Sequence, residues 1–242
     1  MRTPRFYEPQ PLAEGNLLTL SDATFQHAGK VLRMRAGDHL ILFNGDGLDY
    51  LAEITQSEKR QMQVRLIQSE LNLRESPLSI DIGQAISRGE RMDFAIQKAT
   101  ELGCQTLSPL FTERCEVRLS AERQEKRQRH WQQTAISASE QSLRASPPKV
   151  QTPMTLEAWL KACDAELKLV LHPHQEAPLN RYQKPQSVAL LIGPEGGLTD
   201  TEIELAMDYG FHAFRLGPRI MRTETAPIAA CAVLHYLWGD LD

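Results

Sequence analysis

The sequence predicts an α/β fold, with a C-terminal α/β domain built on a parallel sheet and a small N-terminal module that is mostly β. From residue 78 onward, strand-like apolar runs alternate with helical patterns, as they do in βαβ units. Before residue 72, the apolar runs are short and are separated by turn residues. Two glycine-bearing loops near the C-terminus each follow an apolar run and lead toward a helix. Together these features predict a ligand pocket on an open α/β sheet.

The N-terminal module contains four strand candidates, at residues 17–20, 39–43, 50–55 and 63–67, and one helix at residues 22–32. Residues 44–47 read Asn-Gly-Asp-Gly, which is typical of a hairpin turn. Short strands joined by such turns predict a small β-barrel. Polar residues between positions 71 and 77 mark a boundary, so we place the two domains at residues 1–72 and 73–242.

In the C-terminal domain, strands are predicted at residues 78–86, 106–111, 167–171, 188–192 and 211–216. Ser87 with Glu90, and Thr199 with Glu202, have the spacing of capping boxes that begin helices. A last, strongly apolar helix is predicted at residues 226–238. Alternating strands and helices of these lengths predict a parallel sheet.

Three of these strands end in loops with unusual backbone, at residues 172–173, 193–197 and 217–225. In open α/β sheets, ligands bind beyond the carboxyl ends of the strands, so the loops are expected to face one site. The alternative is that the glycines serve chain geometry alone. The phosphate-binding motifs G-x-x-x-x-G-K-[ST] and G-x-G-x-x-G are absent from the sequence. Glu195 would repel a phosphate, so we expect a neutral or cationic nucleoside-like ligand.

The runs LLIGPEGG at residues 190–197 and LGPRIMRTETA at residues 216–226 resemble the signature loops of the RsmE family. Further segments with the same resemblance lie around Arg5, His27, Glu101, Glu113 and Glu140. Met221 departs from the family, where Leu or Val is common at this position, and such an apolar exchange is mild.

The resemblance implies an S-adenosylmethionine-dependent methyltransferase that modifies ring nitrogen 3 of a uridine in 16S ribosomal RNA, in the assembled small ribosomal subunit. It also implies a SPOUT-type C-terminal domain with a trefoil knot, which binds the cofactor and forms a homodimer. The N-terminal barrel is implied to be PUA-like or OB-like and to help bind RNA.

On this resemblance, the three loops are expected to hold S-adenosylmethionine. Arg222 is expected to stabilise negative charge on the uracil or to clamp a phosphate, and Glu224 to hold Arg222 or to accept a proton. The alternative for Glu224 is that it only caps the last helix. The predicted cofactor-binding residues are Leu171, His172, Pro173, Ile192, Gly193, Pro194, Glu195, Gly196, Gly197, Leu216, Gly217, Ile220 and Met221.

The net charge of -4 argues against a protein that coats nucleic acid indiscriminately, so RNA binding must depend on local charge. Residues 113–149 carry eight basic and five acidic side chains, a balance of 8 - 5 = +3, although a solvated helix face with Glu–Arg pairs is an equal alternative. A second basic group lies in the first 35 residues beside two aromatic residues, which suits RNA. The predicted RNA contacts are Arg5, Tyr7, Arg33, Arg114, Gln141 and Arg144.

Other classes of protein are disfavoured by the sequence. It has no apolar run long enough to cross a bilayer and no charged-then-apolar leader, so we expect a cytoplasmic protein that does not bind membranes. Its four scattered cysteines indicate neither a disulfide framework nor zinc, and His172 and His174 lack a third ligand nearby, so we expect no metal. Two alternatives remain open: a catalytically silent RNA-binding protein of the same fold, and methylation of another RNA base.

Overall fold

The computed structural model describes residues 3–172 and 179–241. The chain divides into two compact units, which we call the N-terminal and C-terminal units. The N-terminal unit takes the described residues up to 75 together with Ser139–Pro147. The C-terminal unit takes Ser76–Ala138 and the described residues from 148 onward.

The N-terminal unit contains a five-stranded sheet in the order β1-β3-β4-β5-β2. Its strands are β1 (Arg5–Tyr7), β2 (Leu17–Thr19), β3 (His39–Phe43), β4 (Leu48–Ser57) and β5 (Met62–Leu71). Strand β1 is parallel to β3, and the other pairs are antiparallel. Register shifts interrupt the β4–β5 pair in two places, which bends the two strands. Alternate side chains point into a core of their own, as the twofold period of a strand requires: Tyr50, Ala52 and Ile54 from β4, and Met62, Val64 and Leu66 from β5.

The predicted helix at residues 22–32 is wrong in its detail. A single α-helical turn, α1 (Asp22–Phe25), is followed by a π-helical segment, Gln26–Val31. Gly29 explains part of the difference, because a Cβ at this position would lie 2.8 Å from the Phe25 ring. Packing of this turn against the core therefore decides its winding, and an amphipathic pattern alone does not reveal that.

The C-terminal unit contains a parallel sheet with the main order β12-β10-β11-β6-β7-β8, and β9 also pairs with β7. Every pairing among its described strands is parallel, which confirms the predicted sheet type. The strands are β6 (Ser79–Ala85), β7 (Thr106–Phe111), β8 (Lys149–Val150), β9 (Met154–Thr155), β10 (Leu167–Leu171), β11 (Ser187–Ile192) and β12 (His212–Phe214). The helices are α2 (Glu90–Glu101), α3 (Ala121–Ser142), α4 (Leu156–Ala162), α5 (Asp200–Asp208) and α6 (Thr225–Trp238), with a 3-10 turn at Leu179–Arg181. The end of α3, from Ser139 onward, belongs to the N-terminal unit.

Both faces of this sheet are buried, which is why β11 is apolar without a break from Val188 to its end. On one face, alternate residues of β6 and β11 pack with α2 and α6 in a single core that includes Ile82, Leu190, Ile96 and Leu234. On the other face, the next residues pack with α4 and α5 in a second core that includes Leu191, Trp159 and Ala206. Helices therefore pack against both faces of the sheet.

One of the two predicted capping boxes is confirmed. At the start of α5, the Glu202 amide donates to Thr199 Oγ1 (3.2 Å) and the Thr199 amide donates to Glu202 Oε2 (2.9 Å). The predicted box at Ser87 and Glu90 is wrong, since α2 begins at Glu90 with Gly89 as its N-cap. Gly89 has a φ of 61°, which glycine tolerates best, and this left-handed turn moves the helix start beyond the reach of Ser87.

Candidate active site

Three loops meet at one edge of the C-terminal unit, which we call the loop edge: residues 171–172, 192–197 and 215–224. Strand β10 lies between β11 and β12, and all three run parallel, so the segments that follow them leave the sheet on the same side. Leu171 is in register with Phe214, and the His172 amide donates to the Phe214 carbonyl at 2.8 Å. The predicted convergence of these loops follows from this strand order.

A buried threonine joins the two glycine loops. Thr223 Oγ1 donates to the Gly193 carbonyl at 2.8 Å and accepts a hydrogen bond from Gln84 Nε2 at 3.0 Å. Thr223 and Gln84 are 5% and 1% exposed. The Thr223 hydroxyl therefore links the second loop to the first loop and to the end of β6. Neither residue is among those predicted from the sequence.

The first glycine loop packs closely on its neighbours. A Cβ on Gly193 would lie 3.1 Å from Leu198, and one on Gly196 would lie 3.2 Å from Arg114. Gly197 has a φ of 70°, and its amide donates to the Pro194 carbonyl at 2.9 Å. Ile192 and Pro194 are buried, whereas the glycine backbone is partly accessible. The loop is thus a fixed turn with backbone available to a ligand.

Glu195 points toward the start of α2. Its Oε1 accepts from Arg91 Nη1 at 2.9 Å and from the Arg88 amide at 3.4 Å. Burial alone would raise the pKa of Glu195, but hydrogen bonds from its own amide, from Arg91 and from Arg88 outweigh burial and lower it. A cleft of about 410 Å³ lies beside this ion pair. The placement favours a role for the Glu195 carboxylate in holding the first glycine loop against α2.

The second glycine loop contributes apolar side chains to the loop edge. Leu216 and Met221 are partly buried and pack against the same core as Leu171. Gly217 has a φ of 73°, which favours glycine, and Ile220 is 83% exposed. Three of the predicted cofactor residues therefore share an apolar floor, while Ile220 projects from it. Pro173, another predicted residue, lies outside the described residues.

The two predicted catalytic residues carry unused polar groups. Arg222 is exposed and makes no ion pair with any residue that the structure describes. Glu224 occupies the N-cap position of α6, but its side chain makes no capping hydrogen bond. Its Oε2 is buried and has no hydrogen-bond partner among the described residues. Glu224 therefore lies at the start of α6, as the capping alternative expects, but its carboxylate makes no capping hydrogen bond, and the expected ion pair with Arg222 does not form in this structure.

Two of the predicted RNA contacts are buried in the N-terminal unit. Arg5 donates to Asp49 Oδ1 at 2.6 Å and to the Ser139 carbonyl at 3.2 Å, and its guanidinium lies 3.7 Å from the centre of the Phe43 ring. Burial lowers the pKa of Arg5, although Asp49 opposes that shift. Arg144 donates to Glu75 Oε2 at 2.7 Å. Both placements favour a structural role over the predicted RNA contact.

The other predicted RNA contacts have accessible groups. Arg33, Arg114 and Gln141 are exposed, and Arg114 Nη1 donates to the Gly196 carbonyl at 2.9 Å. The structure therefore brings Arg114 to the first glycine loop. Tyr7 is half-buried, its ring packs edge-on against Phe43, and its amide donates to Glu140 Oε1 at 2.9 Å.

Metal-ligand clusters and bilayer-spanning helices are absent from residues 3–172 and 179–241. In these ranges, no three His, Cys, Asp or Glu side chains come together as metal ligands do. Within the same ranges, no helix combines the length and the apolar character that a bilayer span requires. All four cysteines are free thiols.

Comparison with known proteins is consistent with this geometry. A family model described as an RNA methyltransferase domain matches residues 74–235, and one described as an RNA methyltransferase PUA domain matches residues 20–67. The protein named ribosomal RNA small subunit methyltransferase E is 38% identical in Buchnera aphidicola subsp. Schizaphis graminum, over 99% of this chain and 98% of that protein. In Bacillus subtilis, the protein of the same name is 29% identical over 94% and 93% of the two chains.

Two solved structures match the full length of both chains. A putative methyltransferase from Legionella pneumophila, in complex with S-adenosylmethionine, has 44% identity and a TM-score of 0.96. Ribosomal RNA small subunit methyltransferase E from Neisseria gonorrhoeae, bound to S-adenosylmethionine, has 38% identity and a TM-score of 0.94. The resemblance found in the two signature loops is thereby confirmed. The chain belongs to the RsmE family, the ribosomal RNA small subunit methyltransferases E.

Proposed function

We propose that this protein transfers a methyl group from S-adenosylmethionine to ring nitrogen 3 of a uridine in 16S ribosomal RNA, in the assembled small ribosomal subunit. The loop edge carries this proposal, because the loops that follow three adjacent parallel strands leave the sheet there on one side, and Thr223 ties the two glycine loops together. Family membership supports the reaction class, and two relatives that match along the full chain were solved with S-adenosylmethionine.

The residues of the loop edge fit the proposed cofactor. Leu171, Leu216 and Met221 offer an apolar surface for a purine ring, and the half-exposed turn at Gly193–Gly197 offers backbone groups for the polar parts. His172, Gly217 and Ile220 belong to the same edge, and we propose that these three residues and Pro173 also contact the cofactor. When bound, S-adenosylmethionine would supply an electrophilic methyl group on a positively charged sulfur. The loops then have to align and desolvate the reactants, which is most of what methyl transfer requires of a protein.

Arg222 and Glu224 are proposed to act on the uridine. Ring nitrogen 3 of uridine carries a proton at neutral pH, so the reaction needs either a base or stabilisation of the uridine anion. The Glu224 Oε2 atom is buried and has no hydrogen-bond partner among the described residues, so its capacity to accept a proton is unused. Arg222 is exposed and makes no ion pair with a described residue, so its charge is available to the uracil oxygens or to a phosphate.

We also propose a homodimer in which α6 takes part. One face of α6 belongs to the core, while Val233, Tyr236 and Leu237 on its other face are exposed, Tyr236 by 71%. A helix that is apolar all round is expected to be buried on both sides, and a second copy of this chain would cover the outer face.

The trefoil knot and the domain roles are proposed with the same function. After β12 at the edge of the sheet, the chain returns so that α6 packs on β6 and β11, and this path supports a threaded C-terminal segment. We propose residues 1–72 as a PUA-like or OB-like RNA-binding barrel and residues 73–242 as the domain that binds cofactor and dimerises. A ribosomal substrate would place the protein in the cytoplasm.

Transfer of an isotope-labelled methyl group tests the proposal. Purified protein is incubated with labelled S-adenosylmethionine and with either unmodified small subunits or free 16S ribosomal RNA, and the nucleosides are then analysed by mass spectrometry. Label in 3-methyluridine, stronger with subunits, is the expected result. Label in another nucleoside would support methylation of a different base. Cofactor binding without transfer would point to another RNA, and absence of cofactor binding would favour a silent RNA-binding protein.

A further inference from the structure

An exposed segment of the N-terminal unit, Lys30 to Arg35, combines apolar and basic side chains, and we call it the tip. Val31 and Leu32 are 70% and 51% exposed. Lys30, Arg33 and Arg35 flank them, and all three are accessible to solvent. Two adjacent aliphatic side chains are thus exposed between cations, and a ligand that covered them would remove their apolar surface from water.

The backbone of the tip is held in an uncommon conformation. Gln26–Val31 form a π-helical segment, which is rare and is frequent at functional sites. The Leu32 amide donates to the His27 carbonyl, and the Met34 amide donates to the Ala28 carbonyl, both at 2.9 Å. Arg33 follows with a φ of 55°, which a residue with a side chain adopts at a cost of about 1–2 kcal/mol.

The core beneath the tip fixes this conformation. Phe25, Ala28 and Met34 are buried, and all three belong to the core of the N-terminal unit. Gly29 packs so closely that a Cβ would lie 2.8 Å from the Phe25 ring. Val31 and Leu32 are therefore directed outward by a rigid support, so little conformational entropy would be given up when a ligand covers them.

The charge of the tip selects an anionic partner. Residues 26–39 carry three cations, Lys30, Arg33 and Arg35, against one acid, Asp38, a balance of 3 - 1 = +2 in a chain with a net charge of -4. The Asp38 carboxylate accepts the Arg35 amide at 2.7 Å. None of the three cations makes an ion pair with a residue in the described part of the chain. The centres of protein interfaces are depleted of charge, whereas the two apolar residues here lie between cations.

We infer that the tip binds RNA, with Lys30, Arg33 and Arg35 on phosphates and Val31 and Leu32 against the face of an unstacked base. Aliphatic wedges beside basic residues are a known way to hold open a base step in nucleic acid. Exposed single-stranded bases are also what proteins read in RNA, because the major groove of an RNA helix is too narrow for side chains. The inference rests on the proposed function only in taking RNA as the partner.

The test compares full-length variants in their binding to a short dye-labelled single-stranded oligoribonucleotide and to 16S ribosomal RNA, by fluorescence anisotropy. The double variant Val31→Ser/Leu32→Ser is expected to bind about tenfold more weakly, because serine side chains bury much less apolar surface against a base. Arg33→Asn tolerates the left-handed backbone and should lower the slope of log affinity against log salt by about 0.7. Leu17→Ser is the matched control, because Leu17 is 54% exposed on β2 of the same unit.

Each outcome decides the inference. Weaker RNA binding by the double variant, with melting temperature and oligomeric mass unchanged and with Leu17→Ser binding as wild type does, would support it. If the double variant binds and methylates RNA as wild type does, the inference fails while the proposed function stands. A changed oligomeric mass by light scattering, with unchanged RNA affinity, would overturn the inference and make the tip an interface between copies of the chain. A wild-type protein that neither binds nor methylates RNA would overturn both proposals.

Discussion

Replacing Thr223 by Val tests whether the link between the two glycine loops stabilises the site. Val has nearly the shape of Thr but lacks the hydroxyl, so the Gly193 carbonyl loses its 2.8 Å donor and Gln84 Nε2 loses its 3.0 Å acceptor. Gln84 Nε2 keeps a longer bond to the Ala85 carbonyl at 3.3 Å. A buried polar group left without a partner costs about 1–3 kcal/mol, so the free energy of unfolding should fall by about 2–4 kcal/mol.

The variant is measured by thermal and urea denaturation and by calorimetric titration with S-adenosylmethionine. A decrease of that size lowers the melting temperature by roughly 4–16 °C in a chain of this length. Cofactor affinity should fall about tenfold, because the loops are no longer held in one arrangement. Thr223→Ser is the control, since it keeps the hydroxyl and removes one buried methyl group, worth about 1 kcal/mol. The reasoning is refuted if the Val variant is as stable as the Ser variant and binds the cofactor as wild type does.

Three further predictions concern other parts of the molecule. Gly83→Ala should lower the free energy of unfolding by about 1–3 kcal/mol, because the new Cβ would lie 2.7 Å from the Trp159 ring; equal urea midpoints for variant and wild type would contradict this. Burial raises the pKa of Glu140 despite the hydrogen bond from the Tyr7 amide, so the contribution of Glu140 to stability is full below the unfolded pKa of 4.5 and declines as pH rises through the folded pKa. Glu140→Gln should remove this decline, which is measured as the melting temperature against pH. Parallel pH profiles for the variant and wild type would count against the prediction. Glu224→Gln should lower kcat about 10²–10⁴-fold with cofactor affinity unchanged, as a group that accepts a proton would, and a variant of full activity would remove Glu224 from the mechanism.

Much of the C-terminal fold is predictable because its signals are local. The apolar run of β11 indicates a strand buried on both faces, and the Thr199–Glu202 spacing specifies its own helix start. Parallel strands in turn require the loops that follow them to meet at one edge. The parallel sheet and the convergence of the glycine loops were therefore within reach of the sequence.

The hydrogen bonds that complete the site are long-range and leave little local trace. Gln84 and Thr223 are 139 positions apart, and their hydrogen bond depends on how the last loop returns over β6. Arg5 and Arg144 illustrate the same limit, because isolated arginines are usually exposed and a sequence does not reveal that these two are buried and paired with Asp49 and Glu75. The π-helical turn before the tip likewise depends on close packing of Gly29 against Phe25.

A crystal structure of the protein with S-adenosylmethionine bound would test the central claim most directly. The claim is that the loop edge holds the methyl donor. The expected result is a cofactor in contact with the backbone of residues 193–197 and 216–221, beside Leu171 and within reach of Glu224. A cofactor that contacts neither residues 193–197 nor residues 216–221 would contradict it.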